Sequence, residues 1–314
     1  MDEKMLSVVV PAYNEEGNIA AVCGELTRVL DGAGIPFEIV LVDDGSRDGT
    51  WMGIFAESHK RPNVRGLHFS RNFGKEAAIL AGLENAKGAC CAVMDGDLQH
   101  PPETLVEMYR LWTEGYEVIE GIKSSRGLEN WLHRWCAKTF YNLMSSSTKS
   151  NMADTSDFKL LDRCAMNAIL SLPERDTFFR ALSAWVGFKS TTVTYDVQER
   201  RSGKSKWSRK ALVKYAVHNI TSFTSAPLQI VTILGILFFA LAIVQGAEAL
   251  VRYFLGDALG GFTTVILIEL IIGSVVMVSL GIVGTYIGKI YDEVKDRPRY
   301  IISRTTDDNE HENR

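Results

Sequence analysis

The chain has little cysteine and little proline, five and eight residues in 314, and no Cys-x-x-Cys pair. An odd number of thiols, two of them adjacent at Cys90 and Cys91 in an apolar run, excludes a disulfide framework and a thiolate metal site. It fits buried small hydrophobes in a reducing compartment. Both phosphate-binding glycine signatures are missing. Gly32-Ala33-Gly34 lacks the third glycine of a dinucleotide fingerprint, and Gly203-Lys204-Ser205 ends like a P-loop whose first glycine position is Gln198. Basic charge is not in excess: 34 Lys and Arg against 38 Asp and Glu give a net charge of −4, so no nucleic-acid partner is expected. With 46% hydrophobic residues the chain has ample material for a core, which excludes a disordered protein. Met1-Asp2-Glu3-Lys4 leads directly into an apolar segment, so no secretory signal is expected and the catalytic part should face the cytosol.

A mean hydropathy of +0.01 conceals an uneven distribution. Residues 228–251 carry Gln245 and Glu248 only near their far end, and residues 262–288 carry only Glu269 as a charge. As helices these runs reach roughly 36 and 40 Å, enough to cross a hydrocarbon core of about 30 Å. Two buried core helices are the rival reading, but globular helices rarely run so long without a polar face. Arg200, Arg201, Lys204, Lys206, Arg209, Lys210 and Lys214 precede the first run, and Lys289, Lys295, Arg297, Arg299 and Arg304 follow the second. The connecting loop region has only Arg252. This asymmetry predicts a two-span protein of the cytoplasmic membrane with both termini cytosolic. Gly281, Gly284 and Gly288 would allow a homo-oligomeric helix contact.

Before residue 120 the pattern alternates. Strands are expected at 6–10, 38–42, 64–69 and 89–94, and helices at 19–30, 50–58, 76–85 and from Pro101-Pro102-Glu103 onward. That order predicts an α/β fold with a mostly parallel, doubly wound sheet and ligands at the carboxyl ends of its strands. Residues 131–144 and 206–223 read as basic amphipathic helices with aromatic residues, suited to a lipid headgroup interface. The expected organisation is a nucleotide- and metal-binding core at 1–125, an acceptor and catalytic region at 126–225, two membrane helices within 226–290 and a cytosolic tail at 291–314.

Chemistry concentrates in Asp95-Gly96-Asp97-Leu98-Gln99-His100-Pro101-Pro102-Glu103. Two carboxylates two residues apart at the end of an apolar strand can face one hard cation, and the glycine between them lets a diphosphate approach the backbone. The first strand ends in Pro11-Ala12-Tyr13-Asn14-Glu15-Glu16, the second in Asp43-Asp44-Gly45-Ser46. An acidic group there can accept from a base N–H or ribose hydroxyls, and Tyr13 can cover a ring. Asp48 and Thr50 read better as caps of the following helix.

With these motifs the chain resembles the family 2 glycosyltransferases of GT-A fold, and within them the polyisoprenyl-phosphate glycosyltransferases. The likeness extends to Arg200-Arg201-Ser202-Gly203-Lys204-Ser205-Lys206-Trp207 and to the Gly-Thr-Tyr-Ile-Gly-Lys-Ile-Tyr-Asp-Glu-Val-Lys-Asp-Arg-Pro-Arg-Tyr stretch at 284–300. The resemblance implies that Pro11, Tyr13, Glu15 and Asp43, with Asp44 and Lys75, line the nucleotide pocket. It implies that Asp95, Asp97 and Gln99 surround Mg2+ or Mn2+, that Arg200 and Lys206 close over donor and acceptor phosphates, and that Asp157 lies near the reacting centre. Ser156 and Lys159 stand where the family's Gly-Asp-Phe-Arg-Leu stretch has glycine and arginine.

The implied reaction is inverting transfer of a sugar from a nucleotide-sugar donor to a polyisoprenyl phosphate at the bilayer, with UDP-glucose as the leading donor. UDP-galactose, UDP-N-acetylhexosamine, an aminoarabinose donor and GDP-mannose are alternatives. Acceptor phosphate requires cations, for which Arg126 and Arg134 are preferred, with Lys138 and Arg200 as further candidates; each could instead bind lipid headgroups. A processive polysaccharide synthase would need more spans and a Gln-x-x-Arg-Trp motif, whereas residues 131–135 lack the glutamine. A non-enzymatic sugar-nucleotide sensor would not need Asp95 and Asp97.

Overall fold

The computed structural model describes residues 4–124, 156–174, 178–196, 221, 226–255 and 262–307. The chain forms two units, one of Met1–Ser208 with Arg297–Arg314 and one of Arg209–Asp296.

The first unit is built on an eight-stranded sheet. In chain order its elements are β1 (Leu6–Ala12), α1 (Ile19–Gly32), β2 (Phe37–Asp43), α2 (Thr50–Lys60), β3 (Val64–Phe69), α3 (Lys75–Asn85), β4 (Cys90–Val93), α4 (Glu103–Thr113) and β5 (Val118–Lys123). There follow β6 (Lys159–Asp162), α5 (Arg163–Leu170), α6 (Phe179–Trp185), β7 (Ser190–Tyr195) and β8 (Ile302–Thr305). The sheet order is β7-β5-β6-β4-β1-β2-β3-β8. The expected alternation holds to within a few residues through α4. The sheet is mixed: β1–β2, β1–β4, β2–β3 and β5–β7 pair parallel, while β3–β8, β4–β6 and β5–β6 pair antiparallel.

Runs of Val, Ile and Leu at 8–10 and 39–42 form central strands because both faces of the sheet are covered. On one face Val8, Val10, Ile39 and Leu41 pack with the α1 stripe Val22, Cys23, Leu26 and Leu30, and with Leu105 and Met108 of α4. On the other lies α3, buried almost all round from Ala77 to Leu83. Gly82 permits its close approach, because a Cβ there would stand 2.2 Å from Val9 Cγ1.

The segment read as a tail supplies the edge strand β8. Ser70 N–H donates to the Ile301 carbonyl and Thr306 N–H to that of Gly66, both at 3.0 Å. Tyr300 stacks on Phe69 with ring centroids 5.0 Å apart and its hydroxyl bonds Glu84. Arg299 donates to the carbonyls of Leu172 and Glu174.

The second unit contains α7 (Ala226–Leu255) and α8 (Phe262–Val294). Among the described residues, Pro227–Glu248 and Ile271–Val294 are long and apolar enough to cross a membrane, and neither window is buried. Phe239 and Met277 are about seven-tenths exposed (69% and 70%), an arrangement that water disfavours and hydrocarbon does not. Glu269 precedes the second window.

Candidate active site

The loops that follow β1 and β2 are stitched together at their carboxyl ends. Asn14, in the left-handed region at φ 53°, receives Arg47 N–H on its side-chain oxygen, while its own N–H donates to Ser46 Oγ (both 2.9 Å). Glu15 N–H donates to Thr50 Oγ1 at 2.8 Å, and the Glu15 carboxylate accepts from Asn18 at 2.6 Å at the entry to α1. Asp48 accepts from Thr50 N–H in a tight turn just ahead of α2, whose N-cap position is Gly49 rather than the expected Asp48 or Thr50. Pro11 is half-buried, and Tyr13 is 37% exposed beside it.

Asp43 and Asp44 are both buried and differ in their partners. Asp43 Oδ1 accepts from Ser46 N–H at 3.0 Å and Oδ2 lies 2.7 Å from His68 Nδ1 at the end of β3. Asp44 accepts from Phe73 N–H (2.7 Å), Gly74 N–H (2.9 Å) and Asn72 Nδ2 (2.9 Å), so it anchors the loop that opens α3. Burial pushes its carboxyl up to about 6, against the lowering effect of those N–H groups.

The strand register brings the next group together. Val93 pairs with Lys159 in the antiparallel β4–β6 ladder, so Asp95, two residues on, and Asp157, two residues before, leave the sheet opposite one another. Lys75, at the start of α3, donates to Asp95 Oδ1 at 2.6 Å and to Asp157 Oδ2 at 2.8 Å. Arg180 of α6 closes on the same carboxylate, Nε to Oδ1 at 2.6 Å and a terminal nitrogen to Oδ2 at 2.9 Å. Burial alone would raise the Asp157 carboxyl, but Lys75 and Arg180 hold it well below the usual carboxylate range. Burial would lower the Lys75 amine, but Asp95 and Asp157 hold it above its ordinary value. Glu76 accepts Phe179 N–H at 2.9 Å, and burial with the Asp157 charge pushes its carboxyl up to about 7.

Asp95 and Asp97 are partly exposed, and Asp97 Oδ1 accepts from Gln99 N–H at 3.1 Å across Leu98, which is left-handed at φ 56°. A Cβ on Gly96 would meet nothing closer than Val10 at 3.4 Å. Packing therefore does not require a glycine there. No group of three or more His, Cys, Asp or Glu fit to hold a metal occurs among the described residues. Two carboxylates and an amide oxygen suit a hard ion such as Mg2+ or Mn2+ that keeps water and phosphate ligands, and the Lys75 ammonium on Asp95 is a cation already held by this donor set.

The structure thus joins the expected residues Lys75, Asp95 and Asp157, and it sets Asp43 and Asp44 at neighbouring loops. Arg126, Arg134, Arg200 and Lys206 lie outside the described residues, as does Lys138. His68, Glu76 and Arg180 were not expected. An acidic residue in a first helical turn ordinarily reads as complementing the helix dipole, and Phe178-Phe179-Arg180 carries no spacing signal.

Residues 7–171 match the family model described as Glycosyl transferase family 2. An uncharacterized glycosyltransferase of Synechocystis is 37% identical over 300 residues, covering 95% of this chain and 94% of the relative. The bactoprenol glucosyl transferase of Shigella phage SfII is 34% identical over 302 residues, covering 96% and 98%. Among solved structures, glucosyl-3-phosphoglycerate synthase from Mycobacterium tuberculosis in complex with Mn2+ and UDP-glucose is similar with a TM-score of 0.49 at 18% identity, covering 69% of this chain and 77% of that one.

Proposed function

The chain belongs to glycosyl transferase family 2, and from that premise we propose that it transfers glucose from UDP-glucose to a polyisoprenyl phosphate at the cytosolic face of the membrane. The observation that carries this reading is the meeting of Asp95 with Asp157 at the carboxyl end of the sheet, bridged by Lys75 and flanked by Arg180. The bactoprenol glucosyl transferases supply the acceptor and sugar class by similarity over nearly their full length. Two unburied candidate spans support a membrane-borne acceptor.

A phosphate monoester has a second pKa near about 6, so at neutral pH the acceptor is mostly a dianion and needs no strong base to attack the anomeric carbon. Asp157, pinned by two cations, is correspondingly ill suited to take a proton. Its role is to hold Lys75 and Arg180 where phosphate charge gathers. Mg2+ or Mn2+, when held by Asp95, Asp97 and Gln99, supplies charge neutralisation of the leaving diphosphate without proton transfer. Tyr13 offers a stacking surface for the base and ribose beside the buried Asp43 that Ser46 and His68 hold, with Pro11, Glu15 and Asp44 shaping the adjoining loops. Arg126, Arg134, Arg200 and Lys206 are proposed to bind the acceptor and donor phosphates.

The test is release of nucleoside diphosphate by the purified full chain, with undecaprenyl phosphate and a panel of donors, and mass detection of the lipid product. Release that requires both a divalent metal and the lipid, and that is fastest with UDP-glucose, is the expected result. No release with any donor would sink the enzyme reading, and a faster donor would replace glucose.

A further inference from the structure

Lys159 is 1% exposed, one of the largest fully buried side chains of the first unit, and the transfer reaction outlined above makes no use of it. Asp157 and Lys159 both meet α6, through Arg180 and Ser183, while Phe158 between them turns away to stack on His100. The Lys159 ammonium donates to Ser183 Oγ at 2.8 Å and lies 3.2 Å from Glu120 Oε1, its cross-strand neighbour on β5.

Each contact leads to a different flank of Asp157. Glu120 Oε1 also accepts Ser156 N–H at 2.7 Å, which fixes the residue immediately before Asp157. Ser156 uses its hydroxyl as well, donating to the Gly121 carbonyl at 2.7 Å, a link that glycine could not make. Ser183 Oγ donates in turn to the Arg180 carbonyl at 3.1 Å, which fixes the turn of α6 that carries the guanidinium closing on Asp157. An ammonium with one carboxylate partner in a dry interior is unfavourable, and an apolar chain of equal length would fill the same volume without that penalty. Burial accordingly lowers the Lys159 amine from its ordinary value.

We infer that Lys159 is a positioning residue, which clamps the Ser156 backbone and α6 to one buried point so that Asp157 and Arg180 meet Asp95 and Lys75 in register. The consequence for turnover rests on the glycosyl-transfer reading; the clamp itself does not.

The experiment compares K159M and K159R with the wild-type full chain in detergent. It measures kcat and KM for the donor, affinity for UDP, and amide hydrogen exchange over residues 156–158 and 180–185. K159M is expected to keep wild-type UDP affinity, to lose about 3- to 10-fold in kcat and to exchange the α6 amides faster. K159R, which restores a cation, is expected to recover most of the turnover. Wild-type kcat in K159M overturns the inference, and so does a loss of UDP affinity as large as the loss of turnover, which would mark a general structural defect. If K159M does not fold, S183A cuts one arm of the clamp alone: lower kcat with faster α6 exchange supports the inference, and unchanged values overturn it. If the wild type transfers no sugar, the glycosyl-transfer reading fails and exchange alone decides: unchanged α6 protection in K159M overturns the clamp, faster exchange supports it.

Discussion

Asp95 and Asp157 share one ammonium, that of Lys75, at 2.6 and 2.8 Å. The two carboxylates come from strands of opposite direction and meet because the β4–β6 ladder stops two residues short of each. Among the described residues Asp95 pairs with Lys75 and is partly open, whereas Asp157 is buried beneath both Lys75 and Arg180. In the proposed reaction that asymmetry separates a carboxylate that exchanges its partner for a metal ion from one that holds cations in place.

Their substitutions should therefore differ. Asp95→Asn removes a proposed ligand of the ion that would neutralise the leaving group, and turnover is expected to fall about a hundredfold or more. Asp157→Asn leaves an acceptor that needs no base and is expected to fall less, about tenfold. It should instead lower stability by about 1–3 kcal/mol, discounted for the partial exposure of Lys75 and Arg180. Steady-state rates at matched folding, with thermal melts of both variants, check the division, and equal losses of turnover would count against it.

Glu76 gives the site a signature in stability against pH. Its folded value of about 7 lies above the ordinary 4.5, so between these pH values the native state holds a proton that the unfolded chain has released. Stability from this group is fully present below about pH 4.5 and is lost as pH rises through about 7. Glu76→Gln keeps the acceptor for Phe179 N–H and removes the fall. The melting-temperature difference between variant and wild type should grow from pH 5 to pH 7 and then level off. A difference that stays constant across that range would contradict the argument.

How much of this was legible depended on sequence distance. Asp95-Gly96-Asp97 after an apolar strand is a local signal, and the structure sets that loop at a strand's carboxyl end beside Leu98 in a left-handed turn. The β1 to α4 alternation was legible for the same reason, because periodicity is a property of neighbouring residues. Arg180 and Glu76 were not, because their meeting depends on two helix starts packing beside Asp157 from positions 104 residues apart in the chain. Nor was pairing direction: Lys159-Leu160-Leu161-Asp162 is buried strand sequence whether it runs parallel or antiparallel. β8 is four residues long and follows a helix of 33, so its partner some 240 residues earlier left no trace in composition.

The β8 segment yields a prediction about where the catalytic unit ends. Ser303 Oγ donates to the His68 carbonyl at 3.1 Å, His68 pairs with Asp43, and Tyr300 covers Phe69. Tyr300→Ala is expected to destabilise the first unit by about 1–3 kcal/mol and to weaken UDP binding. A chain ending at residue 296 should do both more severely, since it also exposes the β3 edge. Thermal melts and UDP titration of the two variants check this. Wild-type UDP affinity in the shortened chain would show that β8 is dispensable to the pocket.

The same strand constrains topology. The chain leaves the first unit at Ser208, passes through the unit containing α7 and α8, and re-enters the first unit at Arg297. A strand that returns to its own sheet must lie on the side from which the chain departed, so the apolar helices between must cross an even number of times or not at all. The flanking Lys and Arg, against Arg252 alone in the loop region, predict that this side is the cytosolic one. With Cys164 replaced by Ser to remove an exposed thiol, Ala258→Cys should react with a membrane-impermeant maleimide from outside intact cells. Arg304→Cys, exposed on β8, should react only in inverted vesicles. Reaction of both from the same side would rule out the two spans, and the reverse pattern would turn the hairpin over.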